Sequence, residues 1–167
     1  MKKFTTYIII VALVVLSLVG ASVVLYVQSI QKDFVKTITI ETGEAETKLE
    51  MVARGLNPGT EKKFTVNVGC VEGMEGDYSV LLDFVETDES PLKQYVDVEI
   101  TLDGESVYNG KLVDLLAEEA EILSFPTYVG AKKPSKIVFR YSVDESVGNE
   151  AMQKDAIFDV LLTVKRK

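Results

Sequence analysis

Val96-Asp97-Val98-Glu99-Ile100-Thr101-Leu102-Asp103-Gly104-Glu105-Ser106-Val107-Tyr108 decides the fold class of this chain. Val96, Val98, Ile100 and Leu102 alternate with Asp97, Glu99 and Thr101. A period of two sends one set to a buried face and the other to water, as an extended strand does. Asp103-Gly104 then supplies residues that tolerate positive φ in a two-residue turn, and Val107-Tyr108 resumes the apolar pattern. The stretch reads as a β-hairpin.

The same alternation recurs on both sides of it. Ile38 and Ile40 alternate with Thr37 and Thr39, Leu49 and Met51 with Lys48 and Glu50, and Phe64, Val66 and Val68 with Thr65 and Asn67. Tyr78, Val80, Leu82 and Phe84 form a further row, as do Ile137, Phe139, Tyr141 and Val143, and finally Phe158, Val160, Leu162 and Val164. Asn57-Pro58-Gly59, Gly73, Gly76, Pro91 and Pro134 punctuate the runs. About eight to nine strands at this spacing predict a mainly β protein, an antiparallel β-sandwich of jelly-roll-like form. Its core is expected to hold Phe64, Val98, Ile100, Phe139, Tyr141, Phe158 and Val160. Leu81, Val85, Ile157 and Leu161 place apolar residues on a second face, as strands in the middle of a sheet do. Residues 112–123 fit either a short helical turn at Val113–Ala117 followed by a strand from Ile122, or a longer helix.

Ahead of the strands, Met1-Lys2-Lys3 precedes an uncharged run from Tyr7 to Val27. As a helix that run is about 30 Å long, the thickness of a bilayer's hydrocarbon core. The expected organisation is an N-terminal hydrophobic helix and stalk start in residues 1–30 and an extracytoplasmic domain in residues 31–167. Lys2 and Lys3 favour a cytoplasmic N-terminus. The chain is then either a single-pass membrane protein with its C-terminal domain outside, or secreted after cleavage of Val19-Gly20-Ala21 from Ser22.

The net charge is −8, and Lys2 and Lys3 are the only charges in residues 1–30, so the remainder carries −10. That sign disfavours nucleic acid and anionic lipid head groups as partners. The chain has no His and one Cys, Cys70. His-dependent triads, the usual zinc sites and an internal disulfide are thereby excluded. Cys70 is expected as a buried thiol. No cofactor, metal site or small-molecule substrate is expected. Asp83 with Glu86, or Asp144 with Glu145, would be the carboxylate pairs of a glycosidase, but nothing marks them apart from solvated charge, and no enzyme is expected.

Four features in order make the segment from about residue 35 to 165 resemble the TasA-like biofilm fibre proteins and camelysins of Gram-positive bacteria. They are the apolar leader with a β-rich start, Leu56-Asn57-Pro58-Gly59 before the Phe64 strand, Tyr108-Asn109-Gly110-Lys111-Leu112-Val113-Asp114-Leu115, and a loop with Gly148, Asn149, Glu150 and Gln153 before Phe158-Asp159-Val160. The resemblance implies a jelly roll and a structural role, in which subunits join when an N-terminal strand of one completes a sheet of another. Val35, Lys36, Thr37, Ile38, Thr39 and Ile40 would be that strand, and self-association or other protein partners would follow. Its alternative is an ordinary first strand in a membrane-tethered accessory module that binds a protein or glycan without polymerising. The metallopeptidase activity ascribed to camelysins is not carried over, because His-Glu-x-x-His is absent.

Overall fold

The computed structural model describes residues 34–53, 56, 58–87, 91–148 and 156–167. The hydrophobic run at residues 7–27, Asn149, Glu150 and Gln153 lie outside them. Among the described residues no helix is long and apolar enough to cross a membrane.

Among the described residues nine strands carry the alternating runs: β1 (Phe34–Ile40), β2 (Glu44–Ala53), β3 (Glu61–Cys70), β4 (Gly76–Glu86), β5 (Val96–Leu102), β6 (Glu105–Lys111), β7 (Leu123–Val129), β8 (Ser135–Val143) and β9 (Ala156–Arg166). They form two sheets, ordered β1-β3-β8-β5-β6 and β2-β9-β4-β7. Set β1 aside and the antiparallel pairs are nested: β2 with β9, β3 with β8, β4 with β7, and β5 with β6. This is one long hairpin rolled into a double-sheet jelly roll. β5 and β6 form the tip that the opening stretch predicts. Asp103 at φ 53° and Gly104 at φ 94° make the two-residue turn, with Leu102 opposite Glu105.

The expectation of a wholly antiparallel sandwich needs one correction. β1 runs parallel to β3, Phe34 opposite Phe64 through Ile40 opposite Cys70. Alternation fixes which face a residue takes but says nothing about strand direction, so the parallel pair left no trace in the pattern. Two smaller differences concern residues 91–129. Pro91–Tyr95 is a 3-10 turn, and the helical turn is Leu112–Leu115, after which β7 runs on through Pro126 to Val129.

The inward rows meet in one core. Val98, Ile100, Phe139, Phe158 and Val160 are fully buried, and Tyr141 nearly so. Phe64 is only half-buried, because it lies near the β1 edge, where Phe34 stacks on it at 6.1 Å and Phe139 meets it edge-on at 6.3 Å. Leu81, Val85, Ile157 and Leu161 do fall on the outer face of β4 and β9, the two central strands of their sheet.

Polar groups fasten the ends. The Asp103 carboxylate accepts from Ser135 Oγ at 2.8 Å, from the Lys136 backbone N–H at 2.8 Å and from Thr127 Oγ1 at 3.3 Å. Ser135 and Thr127 are buried, so the turn aspartate ties the β5–β6 hairpin to β7 and β8. The Tyr141 hydroxyl is the opposite case. It is buried with no hydrogen-bond partner among the described residues, its ring meeting Phe158 edge-on at 5.6 Å. Burial pushes its phenol far above the usual tyrosine range.

Two measurements test this packing. Phe139→Ala should lower unfolding free energy by about 3–5 kcal/mol in urea titration. Tyr141→Phe should be neutral or stabilising by about 1 kcal/mol near pH 7, because it removes an unpaired buried hydroxyl. Above pH about 10 the unfolded state releases the Tyr141 proton while the folded state keeps it. Wild-type stability therefore falls with rising pH by up to about 1.4 kcal/mol per unit from this group, and Tyr141→Phe should lose that contribution. An identical pH slope in both proteins would mean the hydroxyl is solvated.

Candidate strand-addition interface

β1 is the segment singled out for strand addition, and it lies at an edge, beside β3 in its own sheet. Its alternation places Ile38 and Ile40 inward, where both are buried, while Val35, Thr37 and Thr39 stay exposed. Three further contacts fix it. Lys36 Nζ donates to Thr47 Oγ1 at 2.9 Å and to the Lys48 carbonyl at 3.2 Å, so it bridges the edge strands of the two sheets. The Val71 N–H donates to the Ile40 carbonyl at 3.1 Å. Phe34 caps Phe64, although it is itself 65% exposed.

These contacts fall on β3, on Val71 just beyond it, and on β2. The link from β1 to β2 is only residues 41–43, and Gly43 takes φ 83°, a left-handed conformation that glycine adopts without penalty. Without β1, the inward residues Val66, Val68 and Cys70 of β3 would line an uncovered edge. The seat therefore needs an occupant.

The other resembling motifs have structural roles. Gly59, at φ 78°, donates its N–H to the Val143 carbonyl at 2.9 Å, and Glu145 Cγ lies 3.0 Å from where a Cβ would sit. Leu56 ahead of it is buried. At Tyr108-Asn109-Gly110 the pairing with β5 shifts register between Ile100 and Thr101, which brings Tyr108 opposite Ile100 and Gly110 opposite Val98. The Tyr108 ring then folds over Gly110, its hydroxyl 2.6 Å from the place of a Cβ and donating to the Lys111 carbonyl at 3.2 Å. Burial, and secondarily Asp114, raise the Tyr108 phenol above its usual range. Leu112 and Leu115 anchor the helical turn in the core. Of the last motif's loop, Gly148 alone lies among the described residues, and it is exposed, while Phe158-Asp159-Val160 lie in β9.

The carboxylate pairs do not converge on a common site. Asp83 faces outward on β4, whereas Glu86 has the inward phase and pairs with Lys93. Asp144 accepts from the Ser146 hydroxyl at 2.5 Å and its N–H at 2.7 Å, and these bonds hold its carboxyl below the usual range. Glu145 packs on Gly59 instead. Cys70 is buried, its thiol 3.7 Å from the Val129 carbonyl, and burial raises its pKa. An open cleft beside Asp77, Tyr128 and Arg166 gathers no set of reacting groups.

No family model and no curated protein matches the chain. Among solved structures it is similar to PliG of Aeromonas hydrophila, a periplasmic inhibitor of g-type lysozyme, at 8% identity and a TM-score of 0.40, covering 80% of this chain and 100% of that one. It is similar to the pre-peptidase C-terminal domain of Bacillus anthracis collagenase at 12% identity and a TM-score of 0.36, over 81% of this chain and 98% of the other. It is also similar to the CUB1-EGF-CUB2 domains of rat MASP-1, at 12% identity and a TM-score of 0.36, over 77% of this chain and 42% of that one. Likenesses this distant bear on neither family nor function.

If β1 is seated in its own domain in solution, Ile40→Ala should cost about 2–5 kcal/mol, as for other fully buried isoleucines. A urea midpoint unchanged by the substitution would mean that the isolated domain holds its first strand elsewhere.

Proposed function

We propose that this chain is a structural or interaction protein of the cell exterior, of the TasA-like and camelysin kind, anchored by its N-terminal hydrophobic run or secreted after losing it. In this reading it performs no catalysis. Its jelly-roll domains join when β1 of one copy takes the seat on β3 and β2 of the next. One observation carries the reading: β1, the first described strand, stands outside the nested hairpin order, parallel and at an edge. The eight remaining strands keep their pairings without it, but the core flank it covers does not stay dry. A neighbour's β1 would meet the same Val66, Val68, Thr47 and Lys48 that the domain's own β1 meets, so exchange preserves the contacts. It is then governed by the short 41–43 link and by local concentration.

A second reading has its own observation. The Lys36 bridge and buried Ile40 hold β1 in place within one copy, which suits a tethered accessory module that binds a protein or glycan and does not polymerise.

A reversible lock separates the two. Thr37 and Asn67 are register partners with outward side chains. Thr37→Cys with Asn67→Cys, in a Cys70→Ala background, should form an intramolecular disulfide that pins β1. In leader-free protein examined by electron microscopy, the oxidised form should stay monomeric and the reduced form should assemble. Assembly in both forms would remove β1 from the mechanism. Monomers in both forms at millimolar concentration would leave the tethered module.

A further inference from the structure

β4 is longer than the strand beside it. On one side it pairs with β9 as far as Glu86, opposite Phe158. On the other side β7 accompanies it only as far as Leu82, opposite Leu123. From Asp83 to Glu86, no strand among the described residues pairs with that side of β4. The chain leading into β7 stays clear of it and forms the far wall of a groove of about 490 Å³, lined by Asp83, Val85, Thr87, Leu116, Glu118 and Ala120. A strand whose main chain is half paired and faces an open groove is a template for an added strand.

From this geometry we propose that the Asp83–Glu86 edge is a docking site for an extended, basic segment of a partner protein, added as a short strand beside β4. Charge and surface select this occupant. Among the described residues no Lys or Arg lines the groove, whereas Asp83 and Glu118 do, and Glu119 and Glu121 stand exposed close by in sequence. Glu86 is already matched by Lys93 and need not be counted. Apolar surface lies beside the charges: Val85 is 46% exposed, and Leu116 and Ala120 also line the groove. A segment alternating Lys or Arg with aliphatic residues would set its basic row on the outer face, stems along Val85 and heads toward Asp83 and Glu118, and its aliphatic row on the inner face toward Phe84 and Leu116, while its main chain completes the ladder. The proposal is independent of the β1 exchange, because the groove lies on the other sheet and on strands that β1 does not touch.

The test uses the full chain in nonionic detergent. The probe is the blocked heptapeptide Lys-Val-Lys-Thr-Lys-Val-Lys, compared with two versions N-methylated at odd or at even positions. Hydrogen exchange should slow at residues 83–87 when the probe is added, and one N-methylated version should lose that effect while keeping its charge. Asp83→Lys combined with Glu118→Lys and Glu119→Lys should weaken binding about tenfold or more, three modest surface terms together reaching about 1.4 kcal/mol. Several results would overturn the proposal: no binding at 1 mM, protection at the β1, β6 or β7 edges instead, or equal binding by both N-methylated versions, which would mean charge attraction alone. Protection of 83–87 that grows with protein concentration before any probe is added would show a second copy in the groove, and would overturn it as well.

Discussion

The domain depends on β9. Its row of Phe158, Val160, Leu162 and Val164 is fully buried, and the strand is zipped on one side to β2 and on the other to β4. Phe158 touches both layers, stacked with Phe84 at 6.1 Å and edge-on to Tyr141 of the opposite sheet at 5.6 Å. β9 follows every other described strand in sequence, so the second sheet has no centre until β9 is available, and its partners lie far away in sequence. Such non-local pairing makes folding slow and cooperative. A chain of this kind gains nothing by folding early, because the contacts that hold its second sheet form only when its most distant strands meet.

Where hydrophobic burial set the choice, the sequence could be read. The rows of β3, β4, β5, β8 and β9 follow from alternation because each strand has one face in a shared core, and Asp103-Gly104 follows from the need for positive φ at a two-residue turn. Main-chain pairing is less visible. The parallel β1–β3 pair carries the same alternation that an antiparallel one would. The register shift at Ile100/Thr101 leaves no mark in the alternation of either strand, because it displaces the pairing and not the faces of β5. Residues 112–123 were ambiguous because Leu112 and Leu115 satisfy a helical turn while β7 begins eight residues after Leu115 with its own row. Asp103 was legible as a turn residue but not as the acceptor that Ser135, Thr127 and the Lys136 N–H share, since those partners come from two other strands.

The candidate site was legible in part for the same reason. The alternation at residues 35–40 identified a strand, and the structure seats that strand at an edge. Whether it serves its own domain or a neighbour is a question of free energy difference, not of pattern. Ile38, Ile40 and Lys36 find the same partners in either arrangement, so those contacts cancel. What remains is the conformation of residues 41–43 and the concentration of copies. Meanwhile, the motifs that carry the family resemblance resolve into constraints on the backbone. Gly59 is confined by its φ and by Glu145, and Gly110 by the tyrosine lying over it. They describe how a jelly roll of this kind closes its turns, and so speak to fold more than to role.

Edges are where a β-sandwich can gain partners, and this one treats its edges unequally. β1 and β2 are bridged by Lys36. β7 carries Pro126, which has no N–H to offer a newcomer. β6 is bulged and covered at Gly110 by Tyr108, and a bulge twists an edge away from flat pairing. Each device lowers the gain from casual strand addition. Among the described residues the stretch of β4 beyond Leu82 shows none of them, neither proline, bulge nor covering ring, and Lys93 nearby is engaged with Glu86. Its screen is negative charge, from Asp83 and from Glu118 across the groove. A charge screen discriminates where a proline merely blocks, because it repels an acidic copy of the same domain and admits a basic segment. The net acidity of the domain and the placement of these acids then serve one end, keeping like copies off an edge that remains open to an unlike partner.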